Sequence, residues 1–446
     1  MPVYGSDLER AHAIAGEVAR RGGRAYFVGG FVRDHLMGVK SKDVDIEVYG
    51  LMPDELGALL AGFGEVYEKG AAFRVFGLRH TDIDIAMPRS ESRIGEGHRD
   101  FAVTVDPFLP KEIAASRRDF TINAMMMDIL TGEIIDLFGG KEDLENRIIR
   151  HVNDATFADD ALRVYRAAQF AARLNAQVAP ETVELCRSME TGALSRERVF
   201  AEMEKALLQA ETPSVYFACL KAFGKLPEIL IQMENTPQNP EYHPEGDVLV
   251  HTMQVLDRAA KLRSRAQRPR DFMLAALCHD MGKTVSTKLK NGKITSAEHA
   301  DTGAPLAKAF LQELTSDRAL LAYVENMVLL HMRPNLYVQD KSRPAAFRRM
   351  YDEALSPEDL ILLSVADKGD EKCEVPLRAA LDDYYAIMEK PMVLGRDLIA
   401  AGIPAGPHMA ALVARARRLH FSGHDKRSAL RLVVREYEDS VRQTGK

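Results

Sequence analysis

The 446-residue chain contains no apolar run near the roughly 20 residues that a helix needs to cross a bilayer. Its opening stretch, MPVYGSDLER, lacks the basic-then-apolar grammar of a secretion signal. Neither a membrane-spanning nor an exported chain is expected, and a cytoplasmic one is. Its four cysteines, Cys186, Cys219, Cys278 and Cys373, are scattered without CxxC spacing. They read as free thiols in a reducing compartment, not as a disulfide frame or a thiolate metal site. There is no internal repeat and no low-complexity tract. What remains is a globular composition, 46% apolar and 28% charged, too long for one ordinary core, so two to four domains are expected. The net charge of −6 is unevenly distributed. RAAKLRSRAQRPR (258–270) is basic without an acid, and Arg417, Arg418, Lys426, Arg427 and Arg431 stand against Asp425 near the C-terminus. Such stretches serve either as solvated helix faces or as phosphate contacts, and charge alone does not choose between them.

Up to about residue 150, strand and helix signals alternate. DLERAHAIAGEVAR reads as a helix stopped by Gly22 and Gly23, AYFVGG as a strand, FVRDHLMG as a short helix and DVDIEVYG as a second strand. PDELGALLAGFG reads as a helix, VFGLR and TDIDIAMP as a strand pair, and DIL-TGE-IIDLFGG as a hairpin. From Asp159 onward the pattern is helical, broken at prolines such as Pro180, Pro213, Pro227, Pro334 and Pro391. ENTPQNPEYHPEGD (234–247) reads as a linker.

Alternation along DVDIE puts Asp43, Asp45 and Glu47 on one strand face, and TDIDIA repeats the device with Asp82 and Asp84. Clustered carboxylates repel unless a cation meets them, and oxygen-only ligands suit magnesium. An EF-hand does not fit, because Val48 and Asp54 stand where its Gly and Glu belong. Glu47 reads as facing solvent. Gly29 and Gly30 end a strand at a helix start, where bare amides can cradle a phosphate, and Arg33 adds charge.

GGFVRDHLMG followed by DVDIE resembles the catalytic motif of the nucleotidyltransferase superfamily, in the form used by class II (bacterial-type) CCA-adding enzymes and poly(A) polymerases. SRRDFTINAMMMD and IIDLFGG-KEDLENRIIRHV resemble that family's next two motifs, DDALRVYRAAQFAARL its base-reading helix, and SESRIGEGHRDF the loop of full CCA-adding members. The resemblance implies a small mixed-sheet α/β head that adds nucleotides from CTP and ATP to tRNA. Asp43 and Asp45 would hold magnesium, with Asp84 as third ligand or base and Asp82 its rival. Arg33 and Arg118 would meet the phosphates, and Asn123 would hold the ribose or cap a helix. Asp160 and Arg163, spaced i, i+3 on a helix, would read the base, because a carboxylate beside a guanidinium matches the edges of C and A and not those of U and G. Arg166 would lie near the nucleotide. The chain departs from the family at Asp159, usually Glu, and at Gln169, usually Arg.

A second constellation comprises His251, His279 and Asp280 in CHDMGK, and Asp367 in SVADKGD. It resembles the HD phosphohydrolase superfamily, which implies a divalent transition metal that activates water, a second metal at His299 and His331, and Lys283 against a phosphate. The expected architecture is a head (1–150), a helical neck that reads the base and binds RNA (151–233), an HD-type helical domain (240–390) and a helical tail (391–446). The expected function is CCA addition with a phosphohydrolase activity. Rivals are a poly(A) polymerase, an enzyme adding only CC or only A, and an HD phosphohydrolase with a non-catalytic RNA-binding head.

Overall fold

In a computed structural model of the chain, residues 5–41, 43–69, 75–93 and 101–444 are described. They divide into two compact units, Met1–Ala206 with Val215–Leu226, and Leu207–Ser214 with Pro227–Lys446.

The first unit begins with α1 (Asp7–Arg20), β1 (Arg24–Val28), α2 (Gly30–Leu36), β2 (Val44–Tyr49), α3 (Pro53–Leu60), β3 (Val66–Lys69), β4 (Val75–Leu78) and β5 (Ile83–Ala86). It continues with a two-stranded ribbon, β6 (Arg89–Arg93) and β7 (Phe101–Val105), then α4 (Lys111–Ser116), a 3₁₀ turn (Thr121–Asn123), β8 (Met126–Asp128) and β9 (Ile134–Ile135). Residues 94–100 of the expected SESRIGEGHRDF loop lie outside the described residues. The main sheet has the order β3-β4-β5-β2-β1-β8-β9. Neighbours in it are antiparallel except β2 and β5, which run parallel.

Alternation gives this sheet two different faces. Val44, Ile46 and Val48 of β2, with Ile83 and Ile85 of β5, join Ala11, Ile14, Ala15 and Val18 of α1 and Leu56, Leu59 and Leu60 of α3 in the main core. The α1 residues recur at i, i+3, i+4 and i+7, the apolar stripe of a core-facing helix. Ser6 starts that helix by accepting from the Glu9 amide. Asp45, Glu47, Tyr49 and Asp84 therefore point to the opposite face, where Tyr49 joins a small cluster with Tyr26, Val28, Ala114 and Met126. The rest of the unit is α5 (Gly140–Glu145), β10 (Ile148–Ile149), α6 (Asp154–Ala158), α7 (Leu162–Leu174), β11 (Gln177–Val178), α8 (Pro180–Ser188), most of α9 (Arg196–Gln209) and most of α10 (Ser214–Ala222).

Among its described residues the second unit is helical apart from one hairpin. Its elements are α11 (Glu228–Glu234), α12 (Val248–Leu262), α13 (Pro269–Cys278), α14 (Lys283–Ser286), β12 (Lys288–Lys290), β13 (Lys293–Thr295), α15 (His299–Gln312), α16 (Arg318–Leu330), α17 (Met332–Gln339), α18 (Pro344–Glu353), α19 (Pro357–Lys368) and α20 (Glu374–Met388). Helices α21 (Gly395–Ala400), α22 (Met409–Phe421) and α23 (Lys426–Thr444) follow, with a small core of their own around Leu398, Leu419 and Val433. Among the described residues no helix is long and apolar enough to cross a membrane, and the four cysteines are free thiols.

Two expectations change here. Segment 234–247 is no linker: Thr236 and Gln238 are buried, and Gln238 accepts from Lys283 Nζ at 2.8 Å. The basic stretch is largely engaged in structure. Arg258 and Arg263 donate to backbone carbonyls of Ala366 and Ala210, while Arg265 pairs with Glu374 and Arg270 with Asp317.

Candidate functional site

The parallel register sets Asp45 of β2 beside Asp84 of β5. Cross-strand carboxylates repel, so this pairing is costly without a cation. Asp43 precedes β2 and is exposed, and alternation places it on the same face. Asp82 lies before β5, where its amide donates to Asp7 and its carbonyl accepts from Val44. Asp84 is thus the later-strand acid that faces Asp45. Gly29 caps α2 with φ +66°, a left-handed value that a side chain resists. A Cβ there would meet Arg118 Nη1 at 3.3 Å and Asp45 Oδ2 at 3.9 Å. Turn, guanidinium and carboxylate therefore converge on one small space, an oxygen-only donor set with a cationic neighbour, and these residues fit magnesium and a phosphate.

Glu47 does not face solvent. It is 1% exposed, and Arg117 (3.6 Å), Arg118 (3.4 Å) and the Tyr49 hydroxyl (3.4 Å) surround it. It holds Arg118 near the Gly29 turn. Arg33, expected at the phosphates, is 3% exposed. It donates to Asp34 and to Asn123 Oδ1 (2.8 Å) and lies 5.2 Å from the Phe170 ring centroid. Asn123 donates in turn to Asp119 (3.1 Å), and Arg166 holds the same carboxylate through Nε (2.8 Å) and Nη2 (2.5 Å). Burial alone would raise Asp119, but Arg166 and Asn123 outweigh it and hold the carboxyl below its ordinary range. Asp119 is the hub joining α2 to α7. Sequence reasoning passed over it, although it stands inside the SRRDFTINA motif.

The expected Asp160–Arg163 pair does not form on one helix face. Asp160 lies before α7, where its carboxylate accepts from the Leu162 amide and pairs with Arg198 at 3.1 Å. Arg163 donates instead to the carbonyls of Thr156 and Arg117, both at 2.6 Å. Helix α7 begins only at Leu162, so Asp160 lies outside it with its side chain turned to the Leu162 amide, and the i, i+3 spacing does not put the pair on one helical face. Gln169 is buried, and its Nε2 has no hydrogen-bond partner among the described residues.

In the second unit the candidate ligands stand at helix ends. His251 is in the first turn of α12, His279 follows α13, Asp367 ends α19, His299 opens α15 and His331 follows α16. Each imidazole binds an oxygen through Nδ1: His251 to Glu245 (2.7 Å), His279 to Ala276 (2.9 Å), His299 to Ser296 (2.7 Å) and His331 to Val328 (2.6 Å). Those acceptors assign the proton to Nδ1 and turn every Nε2 lone pair inward. His251 Nε2 faces Asp367 at 3.1 Å, and the Nε2 atoms of His299 and His331 face each other at 3.3 Å. Acceptors so opposed need a cation or a proton between them. His279 Nε2 is buried without any hydrogen bond among the described residues.

Asp280 is 2% exposed and links the two sets. Its Oδ2 lies 3.3 Å from His279 and its Oδ1 3.4 Å from His299 and 3.7 Å from His331. Burial would raise Asp280, but Lys283 (2.7 Å) and His279 outweigh it, so it stays ionised. Burial pushes His299 down to about 4, keeping it neutral and able to bind a metal. Donor atoms of His251, His279 and Asp367, and of Asp280, His299 and His331, lie within 4.8 Å of one another in each set, so the residues fit a pair of divalent ions. Glu245 and His243, whose Nδ1 binds the same carboxylate at 3.0 Å, were missed because their proline-rich segment reads as a linker. Their signal was the short spacing HPEGDVLVH, which ends on a predicted ligand.

Residues 25–150 match the family described as the poly A polymerase head domain, and residues 248–371 match the HD domain. The multifunctional CCA protein of Nitrosococcus oceani is 36% identical over 401 residues, covering 85% of this chain and 93% of that protein. That of Actinobacillus pleuropneumoniae is 39% identical over 273 residues, and the match spans 59% of this chain and 64% of that protein. A crystal structure of the Bacillus stearothermophilus CCA-adding enzyme in complex with CTP aligns over 98% of this chain and 99% of its own, with a TM-score of 0.66 at 22% identity. The Thermotoga maritima CCA-adding enzyme complexed with tRNA aligns over 98% of this chain and 96% of its own, with a TM-score of 0.62 at 20% identity. At such identities the two structures establish a shared fold, whereas the Nitrosococcus match, running through both units, establishes kinship: this chain belongs to the family of multifunctional CCA proteins.

Proposed function

We infer that the first unit adds CCA to tRNA 3′ ends from CTP and ATP in the cytoplasm, without a nucleic-acid template, and that the second unit hydrolyses phosphate esters. The observation carrying the first activity is the Asp45–Asp84 register beside the Gly29 turn and Arg118. Asp43, Asp45 and Asp84 would hold magnesium, which when bound polarises the triphosphate and lowers the pKa of the attacking RNA hydroxyl. The bare amides of the Gly29–Gly30 turn donate to phosphate oxygens, and Arg118, braced by Glu47, offsets the charge that builds on them. Arg33 acts one layer back, orienting Asn123 and packing on Phe170.

Base choice is assigned to Asp160 and Arg163. The carboxylate accepts from the amino group of C or A and the guanidinium donates to the neighbouring ring nitrogen, whereas U and G present the reverse order. To do this Asp160 must leave Arg198, and Arg163 must leave the two carbonyls it now holds. Base reading is therefore a step of local rearrangement coupled to nucleotide entry.

In the second unit His251, His279, Asp280 and Asp367 would hold one divalent transition metal and Asp280, His299 and His331 a second, together supplying an activated water at neutral pH. Lys283 beside Asp280 offers a cation to a substrate phosphate. Cyclic 2′,3′-phosphates and 2′-nucleotides are the substrates assigned to it. Nucleotide incorporation into a tRNA transcript by the Asp45→Ala chain tests the transfer site. Loss of incorporation with retained hydrolysis of a 2′,3′-cyclic nucleotide supports the assignment, and undiminished incorporation removes it.

A further inference from the structure

Between Lys283 and His299, both in the HD site, the chain makes one excursion, and it is the β12–β13 hairpin. Its turn is Asn291-Gly292, with φ of 52° and 75° as a tight hairpin turn requires. Its base is tied to the site: the Thr287 and Ser296 hydroxyls bond at 2.8 Å, and the Ser296 carbonyl holds His299 Nδ1. The pairing is Lys288 opposite Thr295, Leu289 opposite Ile294, and Lys290 opposite Lys293. Directly paired residues share a face, and alternate residues of a strand do so too. Lys288, Lys290 and Lys293 therefore form one cationic face. All three are exposed, and among the described residues none forms an ion pair.

Two lysines directly opposed at a hairpin tip weaken the pairing of a short ribbon. The basic stretch 258–270 shows the contrast, because its arginines are largely taken up by carbonyls and carboxylates of the same unit. We propose that the lysine face of this hairpin is a docking surface for the sugar-phosphate backbone of an RNA whose phosphate-bearing 3′ end lies in the HD site. The proposal rests on the phosphohydrolase assigned above and deepens it: the substrate is a polynucleotide end whose further backbone phosphates meet the lysines, and a mononucleotide, which has no further backbone phosphates, gains nothing from the hairpin.

The test compares the wild-type chain with a Lys288→Ala/Lys290→Ala/Lys293→Ala variant on two substrates, a 2′,3′-cyclic mononucleotide and a short single-stranded RNA ending in a 2′,3′-cyclic phosphate. The expected result is a KM for the RNA raised about tenfold with kcat unchanged. The salt slope of its affinity should fall by about 0.7 for each backbone phosphate that the variant no longer neutralises, with no change on the mononucleotide. Equal KM values for the RNA in both chains, or an equal loss on both substrates, overturn the proposal. A turnover-independent arm separates it from the hydrolase assignment: lysine acetylation of the wild-type chain, mapped by mass spectrometry with and without the RNA. Protection of the three lysines by RNA and not by mononucleotide supports the docking surface even if neither substrate is hydrolysed, in which case it is the hydrolase assignment that falls. Unchanged acetylation in the presence of RNA removes the docking surface.

Discussion

Asp45 and Glu47 stand two residues apart on the same face of β2, and their surroundings give them opposite work. Asp45 is half-buried beside Asp84, whereas Glu47 is sealed under two arginines. Replacing Asp45 with Ala should lower nucleotide addition by about a thousandfold, roughly 4 kcal/mol of barrier, with little effect on denaturation. Glu47→Ala leaves two arginines without their buried partner and should destabilise the first unit by about 3 kcal/mol. Urea unfolding and incorporation rates on both variants check the contrast, and equal destabilisation would show that Asp45 is structural too. Asp119 supplies a pH signature. Its folded-state carboxyl titrates below its ordinary range, so its contribution is full above that range and is lost as pH falls through the lowered folded value. The stability gap between wild type and Asp119→Asn should accordingly narrow on acidification. A gap independent of pH would mean that the Arg166 pair is not what holds it. Burial pushes the Cys186 and Cys219 thiols up to about 12. Both should resist iodoacetamide at pH 8 in the folded chain and react once it is unfolded.

Helix ends rather than helix faces carry the second site. This geometry depends on Gly282, where a Cβ would overlap the His299 carbonyl oxygen and crowd the Gly303 backbone. Gly282→Ala should therefore force α14 from α15 and cost the chain bound metal, read by elemental analysis; full metal content in that variant would show that the close approach is dispensable. Much of this architecture was legible beforehand. The strand-turn-helix at Gly29, the β8–β9 hairpin and the choice of His251, His279, Asp280 and Asp367 as candidate ligands, which the fold brings together, follow from alternation, glycine placement and residue chemistry. Three things were not legible, each for a physical reason. Asp160 and Arg163 fit a helical spacing, but the helix starts at Leu162 and leaves the aspartate in the turn before it. Prolines make segment 234–247 look like a linker, yet its Gln238 is fixed by Lys283, 45 residues on, and its Glu245 by His251 in the helix that follows. Glu47 has the same alternation as Asp45, and only the tertiary approach of Arg117 and Arg118 makes it a buried brace. The β12–β13 hairpin carried a readable signal, Asn-Gly between short alternating runs, inside a body that otherwise read as helical.

At the scale of the whole chain, the two compact units each hold one of the candidate sites, and the two proposed activities should separate by mutation. Asp280→Ala should abolish phosphohydrolysis and leave nucleotide addition intact, the mirror image of Asp45→Ala, and chelation of the transition metal followed by readdition of magnesium alone should separate the activities in the same way. The most direct measurement supplies the purified chain and magnesium with a tRNA transcript ending at the base before the CCA, together with CTP alone, ATP alone or both, and sequences the product 3′ ends. Ends reading CCA only when both nucleotides are present are the expected result, with Gln169 a tolerated variation. Ends that stop at CC, run into poly(A) or stay unextended under every condition would contradict the assignment of this head as a CCA-adding site.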